Sequence, residues 1–71
     1  MSKKRFVEFY LTACLRAATG GQVARLSYIL YDLSKEEAVV ITFAGGHAKE
    51  VHVTGDSLVA IASDVLRVVC R

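Results

Sequence analysis

Residues 38–54 read Ala-Val-Val-Ile-Thr-Phe-Ala-Gly-Gly-His-Ala-Lys-Glu-Val-His-Val-Thr, and the fold turns on how this stretch pairs with itself. Two runs rich in β-branched residues, which favour strands, flank a glycine pair. Val39, Ile41 and Phe43 alternate with smaller or polar residues, as do Val51 and Val53, so each run has one apolar face. Directly opposed residues of a hairpin share a face. A two-residue Gly45-Gly46 loop would set Ile41 against Glu50 and Val39 against His52. A three-residue Gly45-Gly46-His47 loop sets Ile41 against Val51 and Val39 against Val53. A slip of one residue flips a whole strand, so burial selects the odd-length loop, with a glycine at its left-handed position.

Working outward, residues 22–32 alternate as a third strand, and 33–37 turn back into the hairpin. The inner face is expected to hold Leu26, Tyr28, Leu30, Val39, Ile41, Phe43, Val51 and Val53. The outer face then carries Arg25, Ser27, Ile29, Tyr31, Val40, Thr42, Glu50, His52 and Thr54. Residues 4–19 read as a helix, with an extended segment over residues 5–11 as the competing reading because Phe6, Glu8 and Tyr10 also alternate. Arg5, Glu8, Thr12, Arg16 and Thr19 recur at spacings of three and four and form one polar stripe, and Gly20-Gly21 supplies a left-handed cap. Residues 57–70 read as a second helix, opened by Asp56 or Ser57. Its Ser63, Asp64, Arg67 and Arg71 share a face, and apolar residues cover the rest. The expected fold is therefore a single α+β domain over residues 1–71. It is a two-layer α-β-β-β-α arrangement, a three-stranded antiparallel meander with both helices on one face.

The chain has 71 residues, of which 54% are apolar and 23% charged. A core this small hides only about 60–65% of the surface of the unfolded chain. That composition excludes a disordered tail, a disulfide scaffold and a large enzyme fold. Lys3, Lys4 and Arg5 supply three of nine positive charges. From residue 6 onward, six positive side chains face seven negative ones without clustering. A nucleic-acid binder more often lines one face with cations. No run approaches the length of a membrane span, and Glu8 and Arg16 interrupt the one stretch resembling a secretion signal. The chain is expected to be cytoplasmic, with Cys14 and Cys70 reduced and buried as small apolar side chains.

Gly55-Asp56-Ser57-Leu58 matches the four-residue signature of the GDSL esterases. Both histidines precede the serine, and no further residue offers an oxyanion hole, so the expected role is a helix N-cap and no catalytic residue is assigned. His47 and His52 lie too far from other ligands to hold a metal, and no cofactor motif is present. The element order resembles that of double-stranded-RNA-binding domains, but Asp56 and Ser57 stand where that family has a basic pair. Lys3, Lys4 and Arg5 are the residues a nucleic-acid reading would use. The stretch 49–58, followed by Ile61 and Asp64-Val65-Leu66, resembles small proteins of bacteriophages and mobile elements. That resemblance implies a protein that acts by binding, possible partners being a host protein or a CRISPR-type defence complex.

Too much apolar side chain for so little interior predicts a non-enzymatic protein-binding module, first of all a homodimer or higher homo-oligomer. Ile29, Tyr31 and Val40, with Val59 and Leu66 on the second helix, are expected at contact surfaces. Arg25, Thr42, Glu50 and His52 are their polar surroundings.

Overall fold

The computed structural model describes residues 2–53 and 57–69. The first helix, α1, is continuous from residue 3 to 18 but changes pitch within itself. Lys3–Arg5 is α-helical, Phe6–Leu11 is a π-helical stretch, and Thr12–Ala18 is α-helical again. Ser2 caps its start by accepting from the Arg5 N–H. Strands β1 (Val23–Leu30), β2 (Glu37–Phe43) and β3 (Ala48–Val53) follow, and a second helix, α2 (Leu58–Val69), closes the fold. The sheet is antiparallel in the order β1-β2-β3. Val7, Leu11 and Leu15 of α1 and Ile61 and Val65 of α2 share one core with Leu26, Val39, Ile41, Val51 and Val53. Both helices therefore cover the same face of the sheet, and the two-layer α+β fold is the one expected.

The hairpin register is corrected by two residues. Val39 faces Val51, Ile41 faces Lys49 and Glu37 faces Val53. The loop is three residues long, but they are Ala44, Gly45 and Gly46. The Gly46 N–H donates to the Phe43 carbonyl and the Phe43 N–H to the His47 carbonyl. The last residue of such a loop must be left-handed, and Gly46 sits there at φ +92°. A loop ending on His47 would have placed a residue with a Cβ in that region, at a cost of about 1–2 kcal/mol. His47 instead immediately precedes β3 and stacks on Phe43, with ring centroids 4.8 Å apart. A two-residue shift leaves every side chain on its original face, so the apolar face survives the correction.

Three residues of the polar stripe of α1, Glu8, Thr12 and Thr19, turn toward the fold, while Arg5 and Arg16 stay exposed. Glu8 accepts a hydrogen bond from the Tyr28 N–H at 3.0 Å. Thr19 accepts one from the Val23 N–H at 3.1 Å while donating to the Leu15 carbonyl. Thr12 is buried and donates to the Val7 carbonyl. The reason lies in the sheet. β1 is an edge strand, and the N–H of Tyr28 points away from β2. An uncovered edge offers unpaired donors, and the stripe supplies their acceptors. The buried row Val7, Leu11, Leu15 repeats every four residues. A helix of 3.6 residues per turn would rotate that row by about 40° per repeat, and the wider π turn takes up part of the excess.

Both ends of the helices behave as their residues require. Gly20 and Gly21 have φ of +62° and +89°, and the Gly21 N–H reaches back to the Arg16 carbonyl, a left-handed C-terminal cap. Ser57 Oγ accepts from the Ala60 N–H at 3.1 Å, so the serine of the esterase-like tetrapeptide is an N-cap. Gly55, Asp56, Thr54, Cys70 and Arg71 lie outside the described residues. Leu30, expected inside, is half exposed at the end of β1. Cys14, also expected inside, is exposed, because the rotation of α1 turns it outward.

Candidate interaction surfaces

Register assembles the outer face of the sheet in rows. Arg25, Thr42 and Ala48 form one row; Ser27, Val40 and Glu50 the next; Ile29, Ala38 and His52 the third. Tyr31 follows at the end of β1. Its hydroxyl donates to Glu50 Oε2 on β3, so its ring must cross β2. The small residue at that crossing is Ala38, which has no exposed surface although no element among the described residues lies above it. The bond to Glu50, with burial second, raises the Tyr31 hydroxyl above its ordinary pKa. Glu50 Oε1 also lies 3.3 Å from His52 Nε2. Seven residues expected at a contact surface, Arg25, Ile29, Tyr31, Val40, Thr42, Glu50 and His52, thus share one face. Ile29, Val40 and Thr42 are half-buried in it, and the others are exposed.

Val59 and Leu66 belong to the other layer. Two helical turns apart, they share a flank of α2 and are exposed to 76% and 39%. The structure does not bring them to the sheet residues. In the same layer, α1 carries an exposed apolar surface of its own. Phe9 is 67% exposed, Tyr10 packs edge-on against it with centroids 5.6 Å apart, and Ala13, Cys14, Ala17 and Ala18 are exposed further along α1. At the opposite tip, Leu33 stands fully in solvent on the β1–β2 turn.

The basic N-terminus is divided. Lys3 Nζ lies 2.9 Å from Glu37 Oε1, an atom that also accepts the Tyr28 hydroxyl. Lys4 and Arg5, with Ser2, Glu8 and Phe9, line an open cleft of about 490 Å³. Tyr28 is pushed up to about 12, first by burial and then by its bond to Glu37. Glu37 is held below its ordinary value, chiefly by the Tyr28 hydrogen bond and next by Lys3. A depressed carboxylate stabilises the fold above its ordinary pKa of 4.5, and that contribution is lost as pH falls through the lower folded value. Glu37→Gln should therefore flatten the decline of stability below pH 4.5, read by urea unfolding at several pH values. An acid limb identical to the parent's would show that Glu37 does not anchor this corner.

Among the described residues no helix is long and apolar enough to cross a membrane. Compared with protein-family models, curated proteins and solved structures, the chain matches none.

Proposed function

We propose that the chain is a non-catalytic protein-binding module that works as a homo-oligomer. The supporting observation is the apolar side chain left uncovered on both layers by so small a fold. Phe9, Tyr10, Val59 and Leu66 are exposed on the helices, and Ile29, Tyr31 and Val40 lie on a sheet face that no element among the described residues covers. Contiguous apolar exposure of this kind marks contact surfaces. On the sheet side, Arg25, Glu50 and His52 surround the apolar residues, the arrangement of an apolar centre with a polar rim. A host protein, the partner implied by the likeness to phage and mobile-element proteins, would dock on the same side chains. Nucleic acid is the weaker reading, because Lys3 is engaged by Glu37 and only Lys4 and Arg5 remain beside the Phe9 ring.

Light scattering across a concentration series tests self-association. The expected mass exceeds the 7.7 kDa of one chain. Tyr31→Asp, which puts a charge on the sheet face beside Glu50, should leave a soluble species of lower mass than the parent. A parent chain that stays at the mass of one chain at every concentration overturns the reading.

A further inference from the structure

The two margins of the sheet are treated differently by the rest of the chain. On β1, two outward N–H groups, those of Val23 and Tyr28, are taken by Thr19 at the end of α1 and by Glu8 within it. On β3, the ladder to β2 uses Lys49, Val51 and Val53, because the Phe43 N–H bonds the His47 carbonyl and alternation follows from there. Ala48, Glu50 and His52 therefore direct their N–H and C=O groups away from β2. No described residue bonds those groups. An unpaired margin of this kind templates the addition of another strand.

We propose that β3 pairs antiparallel with β3 of a second copy of this chain, with Val51 opposite its own counterpart. The inference rests on the self-association reading and gives it a partner and a register. Opposed residues share a face, so the pairings open to the strand move in steps of two. Glu50 opposite Glu50 of the second copy would juxtapose like charges, which is destabilising. Ala48 opposite Glu50 sets no charge pair. With Val51 on the two-fold axis, Glu50 of each copy faces His52 of the other on the outer face. The two residues then exchange both backbone hydrogen bonds, twice over by symmetry. On the inner face, Val51 meets Val51 at a non-hydrogen-bonded position, where side chains approach most closely. The result is one six-stranded sheet carrying both copies' Ile29, Tyr31 and Val40 on one side.

Amide hydrogen exchange on the parent protein tests the backbone part. At concentrations where light scattering shows association, the Glu50 and His52 amides should be protected, and dilution should release them. A charge exchange tests the register. Glu50→Lys and His52→Glu should each weaken self-association by about tenfold, since each spoils two cross-strand pairs. Mixed together, the two variants should associate more tightly than either alone, because lysine then faces glutamate. That rescue also shows that both variants fold. An oligomer whose Glu50 and His52 amides exchange freely, or one indifferent to both substitutions, overturns this pairing and leaves self-association through another face standing. A Glu50→Gln chain that associates more tightly than the parent overturns the register. A parent that is a single chain at all concentrations overturns both the pairing and the reading beneath it.

Discussion

Ile41→Ala should remove about 3 kcal/mol of stability, within the range of roughly 2–5 kcal/mol for truncating a buried large aliphatic residue. Ile41 is wholly buried, in the middle strand, on the face that both helices cover. Relaxation is hard there, because the strand is held by ladders on both sides. A domain of this length is stable by only about 4–10 kcal/mol, so the loss is a large fraction of the whole. It corresponds to a fall in Tm of about 12–24 °C. Thr42→Ala, one residue along on the outer face, is the control and should change stability by less than about 0.5–1 kcal/mol. Urea unfolding of both variants measures the contrast. Equal effects would mean that the sheet does not have one covered and one bare face.

Glu8→Ala should cost about 1–3 kcal/mol, the penalty of leaving a part-buried donor without a partner. Glu8 is the acceptor for the Tyr28 N–H. Glu8→Gln keeps an acceptor oxygen at the same position and should cost less. A glutamate on a solvent-facing stripe would be nearly neutral on substitution, so this variant separates the two orientations of α1. Amide exchange gives a second reading, since the Tyr28 N–H should lose protection in the alanine variant while the neighbouring β1–β2 ladder keeps it. A cost below about 0.5 kcal/mol would place Glu8 in solvent.

These two residues also mark what the sequence makes legible. Ile41 was readable because strand alternation is a local property: the chemistry of residues 39, 41 and 43 fixes their shared face whatever the partner. The parity of the hairpin was readable for the same reason. Its register was not settled by burial alone, since a shift of two residues keeps every side chain on its face. The left-handed requirement at the last loop position settles it, and Gly46 meets that requirement where His47 does not. The orientation of α1 was hidden for a different reason. A stripe of Glu8, Thr12 and Thr19 is polar whether it meets water or the backbone of an edge strand, and only the sheet's need for acceptors decides between them. The exposure of Phe9, Tyr10 and Cys14 follows from that one choice. Ile29, Tyr31 and Val40 were placed together correctly by alternation, while Val59 and Leu66 lay on a helix whose position relative to the sheet no periodicity could give.

The seam that Glu8 and Thr19 make along β1 limits how far assembly can run. A sheet with both borders raw can accept copy after copy and lengthen into a ribbon. Here Thr19 and Glu8 already occupy two outward donors of β1, those of Val23 and Tyr28, so the proposed pairing uses the border that the chain leaves more open. On the proposed pairing, further growth by strand addition is opposed by a pair of side chains on the opposite side of the molecule.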